Sequence, residues 1–234
     1  MVMRVFALGG SILAPDQPDV AYARAFAALA MERIAVGERL AIVTGGGAPA
    51  RRYIRAAREV GASEDDLDRI GIDATRLNAR FLATVLRRIA GPHVADTVPV
   101  DVAEAARLAK SHALVVMGGT VPGHSTDYVA ARLATEVGAD HLYVLTNVDG
   151  VYTADPRSDP HATRLDRLDS GRLLEIVGDP TWTAGRAGVV DPRCARHVHD
   201  ARLPLTVADG RQIDALRRHL GGGPRVGSLV EPGA

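Results

Sequence analysis

Lysine is almost missing from this 234-residue chain: Lys110 is the only one, so every other member of its 28 Lys and Arg residues is arginine. That scarcity removes the ammonium that phosphate-binding loops usually carry. Cysteine is nearly as rare. The single Cys194 excludes an internal disulfide framework and an all-cysteine metal site, and sets a reducing compartment as the expectation. Aromatic residues make up 4%, too few for a platform that stacks single-stranded bases. Excess charge of either sign is absent too. The 28 basic residues balance 28 acidic ones, so there is no overall basic field for nucleic acid. No apolar run reaches the length of a membrane span, and "MVMRVFALGG" at the start lacks the apolar core and cleavage site of a secretory signal. The expectation is a soluble, cytoplasmic protein without nucleic-acid or membrane partners.

What the chain does have is 47% hydrophobic residues, enough to bury a full core. Short apolar runs recur, each ending in glycine or a small polar residue: "VFALGGS" (5–11), "LAIVTGGG" (40–47), "LVVMGGT" (114–120) and "LYVLTNVDG" (142–150). Their length and Val/Leu/Ile content suit strands buried on both faces. Helical patterns lie between them, over 20–35 and 76–90, and the chain closes as strand, helix and strand in "LPLTVADG", "RQIDALRRHL" and "RVGSLVEP". Alternation of this kind predicts an α/β fold with a mostly parallel sheet. Residues 151–200, richer in Pro, Asp and Arg, leave room for a second lobe. In such sheets ligands bind beyond the carboxyl ends of the strands, where all four glycine or Thr/Asn turns fall.

Each turn carries its own chemistry. Gly9-Gly10-Ser11 offers backbone amides and a hydroxyl to an anion. In "AIVTGGGAPARRYIRAA" (41–57), three consecutive glycines lead into a helix bearing Arg51, Arg52 and Arg55. A strand-to-helix turn of this kind suits phosphate, because unpaired N–H groups and the helix dipole both favour negative charge. It is not a Walker loop, since no Gly-Lys-Ser/Thr follows, and it lacks the G-x-G-x-x-G spacing. "GGTVPGHSTD" (118–127) gathers Thr120, Ser125 and Thr126 hydroxyls with His124 and Asp127; Ser125, Thr126 and Asp127 also read as the N-cap of the helix "YVAARLATEV". His124 reads as a loop histidine more readily than as a base. "TNVDGVYTADPRSDP" (146–160) offers Tyr152 as a surface for a base, with Thr146 and Asp155 as hydrogen-bonding partners; a plain Asp-Gly turn is the simpler reading. "DLDRIGIDATRLNAR" (66–80) sets Asp68, Asp73, Arg76 and Asn78 around an expected helix start, with Asp68 suited to a ribose hydroxyl or to an exposed face. His197 and His199, two apart, do not share a helical face, so a metal site there is not expected.

Taken in order, "LGGS", "GGGAPAR", "GIDATRLNA", "GGTVPGHSTD", "TNVDGVYTADP" and "AGRAGVVDP" resemble the amino acid kinase superfamily, and within it the archaeal-type uridylate kinases. The likeness runs from the first strand to the closing "GSLVEP". It implies a three-layer αβα sandwich with a central, mostly parallel sheet, a single domain over 1–234 with its acceptor part at about 1–130 and its ATP part at about 131–234. The implied reaction is transfer of the γ-phosphoryl of ATP, with Mg2+, to UMP, as in pyrimidine nucleotide biosynthesis. By resemblance, Gly10, Ser11, Gly47 and Arg51 contact ATP phosphates, and Thr146, Tyr152 and Asp155 hold the adenosine part. Gly46, Asp68 and the run Thr120, Val121, Pro122, Gly123, His124, Ser125 and Thr126 receive UMP. Asp127, Arg51 and Asp191 are the implied catalytic set, with no metal ligand singled out among side chains. A homohexamer inhibited by UTP is implied as well.

The chain also departs from the superfamily pattern. A lysine commonly stands just before the first glycine loop or straight after the second, where this chain has Ala7 and Ala48, and Arg196 stands where relatives often carry lysine. Arginine keeps the charge without the compact geometry of an ammonium. Two alternatives therefore stay open: a kinase of another small phosphate such as isopentenyl phosphate, and a non-catalytic nucleotide- or oxyanion-binding homologue.

Overall fold

The computed structural model describes residues 2–154, 156, 159–178 and 189–233. Its strands are β1 (Met3–Leu8), β2 (Arg39–Thr44), β3 (Leu114–Met117), β4 (His141–Thr146), β5 (Val151–Tyr152), β6 (Arg164–Leu165), β7 (Arg167–Asp169), β8 (Leu205–Asp209) and β9 (Ser228–Glu231). Seven of them form one sheet in the order β3-β2-β1-β4-β8-β9-β7. The first five are parallel, in a register that sets Val5 beside Ala41 and Leu142, and Val144 beside Val207. β9 turns antiparallel to β8, and β7 runs parallel to β9. β5 and β6 pair separately.

Helices cover both faces, which is why the parallel strands are continuous apolar runs and not alternating ones. They are α1 (Gly10–Leu13), α2 (Val20–Ala35), α3 (Gly47–Glu59), α4 (Glu64–Ala90), α5 (Val102–Ser111), α6 (Thr126–Glu136), α7 (Ser170–Val177), α8 (Pro192–Asp200) and α9 (Ile213–Leu220). On one face Phe6, Ile42 and Tyr143 pack against Phe26 of α2, Leu82 of α4 and Leu216 of α9. On the other, Val5, Val43 and Val144 pack against Leu133 of α6 and Val198 of α8. The result is the expected three-layer αβα sandwich.

Two local expectations change. The helix predicted to begin within 66–80 begins at Ser63, whose hydroxyl takes the Asp66 N–H while Asp66 takes the Ser63 N–H. That reciprocal cap launches one helix of 27 residues, so 66–80 lies inside it and 76–90 is its second half. Residues 151–200 do not stand apart where they are described: β7 joins the edge of the main sheet, and Cys194, Ala195 and Val198 of α8 lie in the core.

Candidate active site

Because β1, β2, β3, β4 and β8 run parallel, the turns that follow them share one edge. A chain of contacts makes that edge continuous. A Cβ on Gly10 would lie 2.1 Å from the Gly47 nitrogen and 2.6 Å from the Gly45 carbonyl carbon, so the first two glycine loops interlock backbone against backbone. Gly47 itself has φ +66, a conformation glycine adopts without strain. The first loop then touches β4, where the Gly9 N–H donates to the Leu145 carbonyl at 2.8 Å, and the Gly210 N–H donates to the Thr146 carbonyl at 2.9 Å. Among the described residues, the N–H groups of Gly10, Ser11, Gly46 and Gly47 meet no acceptor. Four unpaired donors on two touching loops are suited to an anion.

α4 braces this edge through its polar side chains. The buried Asn78 donates through Nδ2 to the carbonyls of Gly45 (2.8 Å) and Gly46 (3.1 Å). The buried Thr75 accepts the Gly119 N–H at 2.6 Å through Oγ1, and its carbonyl accepts the Thr44 hydroxyl at 2.9 Å. Arg76 donates to the carbonyls of Gly119 and Thr120, at 3.1 Å each. Asp68 is half-buried and accepts the Gly123 N–H at 2.6 Å. Asp68 and Asn78 were noted in sequence, and Thr75 was not; the available signal was polar Thr75 and Asn78 on the same face as Leu82 and Leu86.

The loop from Gly118 to Ser125 ends in α6, where Ser125 accepts the Tyr128 N–H at 3.1 Å. The capping reading thus holds for Ser125. Thr126 and Asp127 occupy the first turn. Two polar atoms of this loop, Thr120 Oγ1 and His124 Nδ1, are buried and have no partner among the described residues. Buried polar atoms are ordinarily paired, and the described residues supply neither of these with a partner. His124 lies edge-on to Tyr128 at 4.8 Å, and burial, with Arg132 and Arg193 nearby, holds its imidazole below its usual pKa. Val121 is exposed, and Pro122 is half-buried.

Behind the loop stand two acids. Asp191 is buried, caps α8 by accepting the Cys194 N–H at 2.9 Å, and faces Asp127. Burial first, and then the charge of Asp191, push the Asp127 carboxyl up to about 7. Its own burial first, and then the same two acids, push the Cys194 thiol well up, so it stays protonated. Two neighbouring carboxylates, Asp191 buried and Asp127 half-buried, can be relieved by a proton or by a cation. Among the described residues no group of three or more His, Cys, Asp or Glu side chains is gathered as a metal cage. Magnesium needs none, because it binds through one or two carboxylates together with substrate phosphates and water. The pair therefore fits such an ion.

At the other end of the edge, the Tyr152 hydroxyl donates to Asp149 at 2.9 Å, and Arg164 pairs with the same carboxylate at 3.1 Å. Among the described residues the Thr146 hydroxyl makes only a long 3.5 Å contact to Asn147, leaving it available. A cleft of about 360 Å³ opens beside them, lined by Asp149, Arg164, Asp209 and Gly227 among others. Asp155 lies outside the described residues. Ala7 is buried within β1, and Ala48 stands in the first turn of α3 with its N–H on the Ala14 carbonyl. Arg51, one turn further, is exposed and has no partner among the described residues, whereas Arg52 is paired with Asp16. A second cavity, about 390 Å³, lies at the amino ends of β4 and β8 around His141 and Thr206, away from these loops.

The fold and this edge define an α/β protein built to hold phosphorylated ligands at the carboxyl ends of its strands. The chain belongs to the amino acid kinase family, which it matches over residues 3–209. It is 43% identical over 229 residues to the uridylate kinase of Natronomonas pharaonis, covering 97% of this chain and 98% of that one. The crystal structure of uridylate kinase from Archaeoglobus fulgidus superposes with a TM-score of 0.83 at 40% identity, covering 98% of this chain and all of that one. The UMP kinase structure from Bacillus anthracis shares the fold, with a TM-score of 0.81 at 23% identity over 99% of this chain and 96% of that one.

Proposed function

We propose that this chain transfers the γ-phosphoryl group of ATP to UMP, giving ADP and UDP. The observation that carries the reading is the 43% identity to a uridylate kinase along 97% of the chain. The loop edge supplies the physical account. Gly10, Ser11 and Gly47 offer N–H groups to the ATP phosphates, with Arg51 adding charge, while Thr146, Tyr152 and Asp155 hold the adenosine part. Gly46, Asp68 and the run from Thr120 to Thr126 receive UMP, with the unpartnered Thr120 Oγ1 and His124 Nδ1 turned to its polar atoms. The residues that hold the adenosine part thus lie beyond about residue 130, while those that meet the ATP phosphates and UMP lie before it.

Phosphoryl transfer passes through a loose transition state, so the protein's task is alignment and charge stabilisation. The UMP phosphate is already anionic at neutral pH, so no nucleophilic side chain or strong base is required, and His124 serves as a hydrogen-bonding group. Asp127 and Asp191 would hold a magnesium ion or orient the cationic groups around the transferring phosphoryl. When bound, Mg2+ would neutralise charge on the phosphate oxygens. A homohexamer, inhibition by UTP, a cytoplasmic location and a place in pyrimidine nucleotide biosynthesis belong to the same reading.

The test is ATP consumption against UMP, CMP, dUMP and isopentenyl phosphate. Preferred turnover of UMP is expected. No turnover of UMP, with turnover of another acceptor, overturns the reading.

A further inference from the structure

We infer that Arg193 is a positioning residue for the acceptor loop, acting with Asp68 as a two-sided latch on Gly123. This inference rests on the reading of residues 120–126 as the UMP site. Gly123 forms the tip of the loop and has φ +77. Its N–H donates to Asp68 Oδ2 at 2.6 Å, and its carbonyl accepts from Arg193 Nη1 at 2.6 Å. Asp68 belongs to α4 and Arg193 to the first turn of α8. These helices cover opposite faces of the sheet, so the two bonds pull the tip from both sides.

Packing contributes the edge-on contact of His124 with Tyr128, a neighbour on the loop's own helix α6. Thr75 and Arg76 fix the root of the loop at Gly119 and Thr120, and the Ser125 cap fixes its end. Between them Val121 is 47% exposed, and the remaining backbone contact among the described residues is a local 3.3 Å bond from His124 N–H to the Val121 carbonyl. The two bonds to Gly123 are therefore the long-range polar anchors of the span 121–124. α8 is capped by Asp191, which faces Asp127. Arg193 thus ties the tip to the same helix that presents one of the two acids, and the UMP-contacting atoms keep their distance from the reacting centre.

The test compares the wild type with Arg193→Ala and Arg193→Lys, varying UMP and ATP separately in steady-state kinetics. One charge-assisted hydrogen bond at an exposed site corresponds to roughly a three- to tenfold effect. Arg193→Ala is expected to raise KM for UMP by about that factor, leave KM for ATP unchanged and keep the melting temperature. Arg193→Lys, which still donates to a carbonyl, is expected to recover most of the loss. Equal rises in both KM values, an unchanged KM for UMP, or a lysine variant no better than alanine overturns the latch. Hydrogen exchange on the nucleotide-free protein reads the same bond without turnover: peptides covering 119–125 exchange faster in Arg193→Ala, and unchanged exchange also overturns it. Faster exchange in a protein whose wild type never turns over UMP removes the UMP reading while the latch stands.

Discussion

Replacing Asp127 with asparagine tests whether the two acids strain the protein that presents them. The Asp127 carboxyl is pushed from its ordinary 3.8 to about 7 by burial and by Asp191. Its folded-state value lies above its unfolded one, so the folded protein keeps a proton that the unfolded chain has released. Stability therefore falls as pH rises from about 4 to about 7, and the cost is complete above that window. At about 1.4 kcal/mol per pKa unit, it amounts to roughly 2 kcal/mol at pH 5 and roughly 4 kcal/mol at pH 8. Asp127 is partly open to solvent, so screening makes both figures ceilings. Asparagine removes the charge and keeps the shape. In urea titrations of nucleotide-free, metal-free protein, Asp127→Asn should be stabilised, and by more at pH 8 than at pH 5. Turnover of UMP by the same variant should drop by two orders of magnitude or more. A gain that is absent at pH 8, or equal at both pH values, would refute the argument that Asp191 and burial raise this group.

Three further outcomes follow from the loop edge. Asn78→Ala strips two backbone carbonyls of their buried donor; chemical denaturation should show a loss of roughly 1–3 kcal/mol, with kcat/KM falling alongside. Gly10→Ala puts a methyl group 2.1 Å from the Gly47 nitrogen, against backbone that cannot rotate away. The loops must part, so a loss of about 3 kcal/mol and collapse of ATP binding by calorimetry are expected, and a variant of normal affinity would disprove the interlock. Arg51→Ala touches an exposed residue with no partner among the described ones, so stability should change by less than about 0.5 kcal/mol while turnover falls severely; unchanged turnover removes Arg51 from the mechanism.

The parts of this fold legible in sequence share one cause. Strands buried on both faces must be apolar along their whole length, so "VFALGGS" and "LAIVTGGG" announce themselves without their partners, and a parallel order then sends their turns to one edge. Val20–Ala35 and the Ser125 cap were legible because helical period and capping are local. What stayed hidden was long-range. Thr75 and Asn78 bond to groups 31 to 44 residues away, and no spacing rule reports which loop a buried polar side chain on a helix will meet. Asp127 and Asp191 likewise come together only because α6 and α8 pack on the same face of the sheet.

The glycines show how the structure revises a local reading even where the function agrees. In sequence, Gly45-Gly46-Gly47 implies a backbone that a ligand must approach closely. In the structure the close approach is already made: Gly10, Gly45 and Gly47 are small because each loop occupies the space of the other's missing side chain. The interlock keeps the N–H groups of Gly10, Ser11, Gly46 and Gly47 close together on two touching loops, with no acceptor among the described residues. This bears on the missing lysines. Ala48 uses its own N–H on the Ala14 carbonyl and so fixes the start of α3, while under the proposed function the charge that an ammonium would bring would fall to Arg51 one turn later and to a cation held by the two acids. On this account the site depends more on fixed N–H dipoles than on a mobile point charge, and the rigidity that Asn78 and the glycine interlock provide is part of its chemistry.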